Sequence, residues 1–461
     1  MAPKFRMPHT LTLLFLLMVA ALVATWIIPQ GQFQTEVTEA GQTLVVPGTF
    51  EVAEDRQLLS PWELFTAVPR AFAEAQNIIF FLFIVGGVVA VIRASGAIDA
   101  LLGGLLKSAG SRPALLMFAV IFVFALTSSA MGASAEYIPF VLILVALCRA
   151  MRMDAMVAVG MVVAGYGIGY GMASFNPYTV VIAQDIAGVP TYSGWLVKLG
   201  LLLPFTLIGV HHVWAYARKV QADPSKSLVA GIDPPDQGAE PEEYPRMRAT
   251  HVLILLGFIS ALGISVWGIS NWGWYLTELG AAFLILGIGA AFVGRLGAQA
   301  TATNFVRGAG ELVETALLVG IARGIALIME DGQILHTIVH GLSQPLSLVG
   351  AELAAVGMFG LQSILNFFVP SGSGQAFVTM PLMAPLGDLV GVSREISVLA
   401  FQFGDGFANM LIPTNAVLMG ILGMAAIPYD RWFRFCLPLF LKLFVAASIV
   451  LVGAVMLGVG S

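Results

Sequence analysis

Long apolar windows separated by short polar connections dominate this chain. The windows cover residues 10–29, 77–95, 113–148, 153–184, 193–217, 249–268, 274–293, 310–329, 348–391, 395–427 and 434–459. A spanning helix needs roughly 20 mainly apolar residues, because each residue rises about 1.5 Å through a hydrocarbon core about 30 Å thick. The pattern therefore predicts an all-α polytopic membrane protein. Windows 113–148 and 348–391 are too long for one helix and carry small polar clusters at their centres, which predicts two re-entrant helical hairpins. Windows 153–184 and 395–427 are over-long and interrupted by proline, which predicts two broken helices. The total is about ten spans plus the two hairpins.

Basic residues orient these elements. Lys4 and Arg6, Lys107 and Arg112, Arg149 and Arg152, and Arg218, Lys219, Arg246 and Arg248 flank ends expected in the cytoplasm, whereas the acidic stretch Glu36 to Asp55 falls outside. Basic residues bracket both ends of 113–148, so that hairpin enters from the cytoplasmic side. Continuing the count, 348–391 enters from the opposite side. The run at 11–28 is long enough to be a retained first helix and not a signal peptide.

An internal repeat supports the same organisation. Ala187-Gly188-Val189-Pro190 near Trp195 recurs as Ala425-Ala426-Ile427-Pro428 near Trp432; Pro139 matches Pro381, and Val85-Gly86 with Gly96 echoes Val319-Gly320 with Gly332. With opposite orientations from the charge count, the halves form an inverted repeat, an architecture in which secondary transporters bind substrate and ions at the repeat interface. The expected organisation is a first helix and periplasmic segment (1–76), repeat 1 (77–217), a cytoplasmic linker (218–248), scaffold helices (249–309) and repeat 2 (310–461).

Composition narrows the function. Only 11% of residues are charged and 58% are apolar, against about 25% charged in soluble domains. No basic stripe suggests nucleic acid. Cys148 and Cys436 sit in no metal-ligating pattern and are expected to be packing residues. No GxxxxGK[ST] phosphate loop points to a pump, and no HExxH or GxSxG motif points to an intramembrane enzyme.

Three polar constellations lie inside the apolar windows. The hairpin tips are Thr127-Ser128-Ser129-Ala130-Met131-Gly132-Ala133-Ser134-Ala135-Glu136 and Pro370-Ser371-Gly372-Ser373-Gly374-Gln375. Short hydroxyl and glycine residues let carbonyls and hydroxyls coordinate a cation, and the N-terminal end of a following helix attracts an anion. The bland alternative is close helix packing by small residues. The helix breaks are Ser174-Phe175-Asn176-Pro177-Tyr178-Thr179 and Ile412-Pro413-Thr414-Asn415. Proline frees carbonyls there, and Asn and Thr add neutral oxygens suited to a hard cation such as sodium; a simple kink is the alternative. The third constellation is ionisable: Arg323, Asp405 with Asn409 one turn later, and Glu136. Such residues face a cavity or one another, so Arg323 and Asp405 are expected either to pair or to divide a zwitterionic substrate between them. Gly165, Gly167, Gly169 and Gly171 are expected to permit close packing, and His211 and His212 to be interfacial.

Phe368-Val369-Pro370-Ser371-Gly372-Ser373-Gly374-Gln375-Ala376, followed by Met380-Pro381-Leu382-Met383-Ala384-Pro385, closely resembles the YfcC family of the C4-dicarboxylate anaerobic carrier group. The match continues through Phe401-Gln402-Phe403-Gly404-Asp405-Gly406-Phe407, Ile412-Pro413-Thr414 and Ala322-Arg323-Gly324-Ile325. The resemblance implies an ion-transporter fold with a scaffold and a mobile transport domain. Where the family carries a Gly-Glu-Glu-Thr-like run, this chain has Ser134-Ala135-Glu136-Tyr137 before Ile138-Pro139, which removes one acidic group and one hydroxyl.

The expected protein is thus an ion-coupled secondary carrier of a small carboxylate-bearing metabolite, an amino acid or a C4-dicarboxylate, in the bacterial inner membrane. A short-chain acid carrier, a channel or an intramembrane enzyme are the alternatives. The substrate site is expected at Ser129, Gly132, Ser134, Glu136, Asn176, Arg323, Ser371, Gly372, Ser373, Gly374, Asp405, Asn409, Thr414 and Asn415. Sodium sites are expected among Ser129, Asn176, Thr179, Ser373, Thr414 and Asn415, with sodium or a proton as coupling ion and no other cofactor. The expected partners are the bilayer, a small-molecule substrate and a second copy of the chain.

Overall fold

The structure is a computed structural model that describes residues 10–37, 43–46, 48–54, 58–101, 104, 112–176, 178–232, 245–272, 274 and 276–460. Lys4, Arg6, Lys107, Pro177, residues 233–244 of the linker, and residues 38–42, 47 and 55 of the acidic stretch lie outside the described residues. Helix α1 (Thr10–Ile27) leads into four short strands, β1 (Gly31–Gln32), β2 (Thr35–Val37), β3 (Thr43–Val45) and β4 (Glu51–Val52), paired antiparallel as β1 with β4 and β2 with β3. Then follow α2 (Glu63–Glu74), α3 (Gln76–Ala94), α4 (Pro113–Met131), α5 (Ile138–Ala150), α6 (Ala155–Gly171), α7 (Val180–Ile186) and α8 (Trp195–Ala222). After the linker come α9 (Ala249–Trp272), α10 (Leu276–Val293), α11 (Ala298–Gly310), α12 (Val313–Asp331), α13 (Leu335–Ser343), α14 (Ala351–Phe368), α15 (Gly372–Val390), α16 (Arg394–Ala408), α17 (Ala416–Met424) and α18 (Tyr429–Met456).

Among the described residues seven helices are long and apolar enough to cross a membrane, and α11 with α12 pass the same test only when taken together across a 41° bend. Two of the seven, α4 and α14, fall in the windows read as hairpins, and α9 contributes only the shorter apolar stretch Ala249–Ser265. The two over-long windows with proline break into shorter helices, α6 with α7 and α16 with α17, none of which spans alone. The windows read as hairpins resolve into α4 and α5 around a break at 132–137, and α14 and α15 around a break at 369–371.

The two segments Ala187–Pro190 and Ala425–Pro428 share capping geometry. Gly188 and Ala426 both take left-handed backbone, with φ of 66° and 51°. Val189 N then donates to Gln184 O at 2.8 Å, and Ile427 N to Leu422 O at 2.9 Å, so α7 and α17 end in the same Schellman-type turn before a proline. Gly86 of α3 lies against Gly308 of α11, where a Cβ on either would sit 2.6 Å or 2.3 Å from the other's carbonyl oxygen, and Gly320 of α12 lies against Phe72 of α2.

The glycine ladder packs two neighbours at once. Residues four apart on a helix share a face, so Gly165 and Gly169 point one way and Gly167 and Gly171 another. The first pair receives Phe124, Ala125 and Ser128 of α4; the second receives Met410 and Phe407 from the other half. At the crossing of α6 and α16, a Cβ on Gly406 would sit 2.1 Å from Gly171 N. Two broken helices can approach this closely only through glycine, and enlarging such a contact typically costs about 1–3 kcal/mol. Cys148 and Cys436 are buried, and Cys436 Sγ lies 3.3 Å from Met410 O. His212 rests against Phe435 O at 2.9 Å.

Candidate functional site

The four breaks converge. Local caps end the helices there. Gly132 caps α4 at φ 73°, and a Cβ there would also strike Asn176 Oδ1 at 2.5 Å, so only glycine joins the first tip to the first break. Ser371 caps α15 by accepting from Gly374 N at 3.4 Å, and Asn415 caps α17 by accepting from Leu418 N at 2.9 Å. Pro413 lies in the break between α16 and α17.

A cavity of about 470 Å³ opens where the breaks meet. The first tip contributes Gly132, Ser134 and Glu136; the second contributes Pro370, Ser371, Gly372 and Ser373; the helix breaks contribute Tyr178, Thr179 and Asn415, joined by Asn409 at the end of α16. Tyr166 and Tyr170, one turn apart on α6, form one wall, and Ile78 of α3 with Ala416 and Val417 of α17 close it. Tyr170 donates to Gly132 O at 2.6 Å and Tyr166 to Asn409 O at 3.1 Å, which ties the wall to a tip and to a break. Glu136 accepts from Ser134 N at 2.7 Å. It is the only charged side chain among the described lining residues.

Other expected site residues stand just behind this lining. Ser129 Oγ donates to Met172 O at 2.6 Å and lies 3.1 Å from Ser174 Oγ, while its carbonyl accepts from Ser174 N and Phe175 N, so it fastens the first tip to the first break. Asn176 is fully buried and accepts from Tyr178 N at 2.9 Å. Thr414 donates to Phe367 O at 2.9 Å. Gly374 lies in the first turn of α15 and supplies the capped N-H.

Asp405 lies beneath the second tip. A Cβ on Gly372 would stand 3.0 Å from Asp405 Oδ2 and 2.5 Å from Thr179 Cγ2, so this glycine lets the tip, the first break and α16 touch. Asp405 is fully buried; its Oδ1 accepts from Asn409 Nδ2 at 3.1 Å, and its Oδ2 has no hydrogen-bond partner among the described residues. Asn415 Nδ2 continues the chain to Asn409 Oδ1 at 2.7 Å.

Sequence reasoning missed the amides around Asp405. Asn366 Nδ2 donates to the Asp405 carbonyl at 2.8 Å, Gln375 Nε2 to Gln362 Oε1 at 2.6 Å, and Gln362 Nε2 to Thr379 Oγ1 at 3.0 Å; Gln402 meets Thr179 Oγ1 at 3.2 Å. Asn366 Oδ1 and Gln375 Oε1, like Asp405 Oδ2, are buried acceptors with no partner among the described residues. The available signal was polar pairs at four-residue spacing inside apolar windows, Gln362 with Asn366 and Gln375 with Thr379, which places each pair on one helix face.

Arg323 corrects the sequence reading. It neither pairs with Asp405 nor lines the cavity: its Nε donates to Glu74 at 2.7 Å, and its two terminal nitrogens donate to Glu330 at 3.0 and 3.1 Å. Arg70 makes a two-pronged pair with Asp331 at 2.7 and 2.9 Å beside it, so these charges join α2 to α12. Partly exposed pairs of this kind are worth about 0.2–1 kcal/mol each. Arg323→Met is therefore expected to lower the melting temperature of the purified protein modestly while leaving the substrate concentration for half-maximal uptake unchanged. A raised half-saturation with unaltered melting would restore a substrate role.

A polar cavity enclosed by helix breaks in a multi-pass membrane protein fits the class of membrane transporters. This chain belongs to the C4-dicarboxylate anaerobic carrier family (DcuC), which it matches over residues 7–456. It is 31% identical to YfcC of Escherichia coli K12, named provisionally a basic amino acid antiporter, over 495 residues that cover 99% of this chain and 97% of that protein. An uncharacterized protein of Haemophilus influenzae Rd is 30% identical, with 97% of each chain covered. Among solved structures, the YdaH transporter of Alcanivorax borkumensis aligns over 98% of this chain and 99% of its own at 16% identity, with a TM-score of 0.44.

Proposed function

We propose that this protein is an ion-coupled secondary carrier of a small amino acid, acting in the bacterial inner membrane. The observation that carries this reading is the charge arrangement of the cavity. Glu136 is the one charged side chain among its described lining residues, and the lining also contains the first residues of α15 (Gly372, Ser373) and α17 (Ala416, Val417). Helix N-termini present unpaired N-H groups and a positive dipole end, which suit a carboxylate, whereas a carboxylate side chain suits an ammonium group. A zwitterion satisfies both. A C4-dicarboxylate, the alternative that the family description favours, would bring a second negative charge into a cavity with Glu136 and no basic lining residue among those described.

Asp405 is the proposed coupling position. A buried carboxylate oxygen without a partner is expensive, and Asn366, which donates to the Asp405 carbonyl, carries an unpartnered neutral acceptor of its own, so sodium or a proton would complete the network. In this reading residues 77–217 and 310–461 are inverted repeats, and the tips and breaks they contribute expose the site alternately to the two sides.

Counterflow in proteoliposomes tests the substrate class. Vesicles loaded with unlabelled basic or neutral amino acids are expected to accumulate the labelled compound transiently, and vesicles loaded with succinate or butyrate are not. Counterflow confined to succinate would overturn the amino-acid reading, and linear, non-saturable flux would indicate a channel.

A further inference from the structure

The geometry points to a binding site for an anionic phospholipid in the groove between α9 and α10, with its headgroup at the arginine-bearing end of that helix pair. The groove has a volume of about 570 Å³ and is lined almost wholly by apolar side chains, with Gly257, Ala261, Ala282 and Gly289 thinning its floor. It faces away from the protein core: Leu253 is 56%, Ile264 52% and Ile285 72% exposed. Along α9 the lining runs from Leu253 to Ile264, about 17 Å at roughly 1.5 Å per residue, which is close to half of a hydrocarbon core about 30 Å thick. The groove thus matches the acyl region of one leaflet.

Charge decides which end holds the headgroup. Arg246 and Arg248 immediately precede α9, and Arg295 follows α10 by two residues; all three are exposed, and none has a side-chain hydrogen bond or ion pair among the described residues. These helix ends come together on the end of α3. His251 lies 3.5 Å from where a Cβ on Gly96 would stand, and Ser95 lies 2.8 Å from the equivalent point on Gly294. The opposite end of the groove carries Glu278 and Trp274, an acid that repels an anionic headgroup and an aromatic ring suited to the membrane interface. Basic pockets between membrane helices hold anionic headgroups, each charge contributing on the scale of a fivefold change in affinity. A second copy of the chain fits this groove less well, because both copies would bring their arginines to the same end of the seam.

The test uses the intact purified protein in neutral detergent, supplied with phosphatidylglycerol, phosphatidylcholine or glycerol 3-phosphate, and reads melting temperature together with lipid retained in native mass spectrometry. Phosphatidylglycerol is expected to raise the melting temperature and to be retained, whereas the other two are not. Arg248→Gln with Arg295→Gln is expected to reduce retention by about 25-fold, fivefold per charge. Gly257→Phe, which fills the groove and leaves the arginines, should abolish retention too. Equal retention in wild type and the arginine variant would overturn the proposal. So would an equal shift with glycerol 3-phosphate, or a dimer that Gly257→Phe converts to monomer while lipid retention is unchanged.

Discussion

Asp405→Asn is expected to abolish the dependence of uptake on an imposed sodium or proton gradient while leaving substrate counterflow measurable. The substitution keeps the shape of a fully buried side chain whose Oδ1 accepts from Asn409, and it leaves the backbone carbonyl that accepts from Asn366, so the protein should still fold. What it removes is the negative charge at an oxygen with no partner among the described residues, directly beneath Gly372 of the second tip. Interactions with a charged group contribute about 1.5–3 kcal/mol, which corresponds to a loss of gradient-driven uptake on the order of tenfold or more. Removing an unpaired buried charge should also leave the melting temperature unchanged or raise it. The measurement is initial uptake in proteoliposomes with and without each gradient, beside a thermal melt. Gradient-driven uptake at the wild-type rate would show that coupling does not pass through Asp405.

Glu136→Gln separates the two candidate substrate classes by sign. If Glu136 holds an ammonium group, its neutralisation is expected to raise the half-saturating concentration of amino-acid substrate about tenfold or more, through loss of a charge-assisted hydrogen bond. The maximal rate should change less, since the substituted amide retains an acceptor oxygen for Ser134 N, which Glu136 now engages at 2.7 Å. If the substrate were a dicarboxylate, the same change would remove a repulsive charge from a cavity of about 470 Å³ and would lower the half-saturating concentration. Titrating uptake of a basic amino acid and of succinate in wild type and variant distinguishes these outcomes. An unchanged half-saturation for both would place the substrate out of reach of Glu136.

The two acids were legible in the sequence as a pair of anomalies, but their different places were not. Glu136 follows a glycine-containing tip and ends on the cavity surface; Asp405 lies within α16 and ends beneath the opposite tip. Both sit in apolar windows, and insertion energetics says only that such groups need a cavity or a partner. The same limit explains Arg323. Its partner Glu74 lies 249 residues away in the chain, and only the packing of α2 on α12 brings them together. Opposite charge alone made Asp405 an equally reasonable partner.

By itself the sequence determined the elements and their interruptions. Small, hydroxyl and proline residues cluster at the breaks, as in Gly132-Ala133-Ser134, Pro370-Ser371 and Pro413-Thr414, and lower the cost of interrupting a helix in an apolar window. The glycines at 165, 167, 169 and 171 likewise determined close packing, because their spacing alone puts them on two faces of one helix. Tertiary structure decided which breaks meet and what fills the space between them. Tyr166, Tyr170, Gln362, Asn366 and Gln375 acquire their roles only when α6, α14 and α15 converge on α16, and no local pattern records that convergence. The physical reason is that a helix break follows from a few neighbouring residues, whereas a binding site is a sum of contacts between residues hundreds of positions apart.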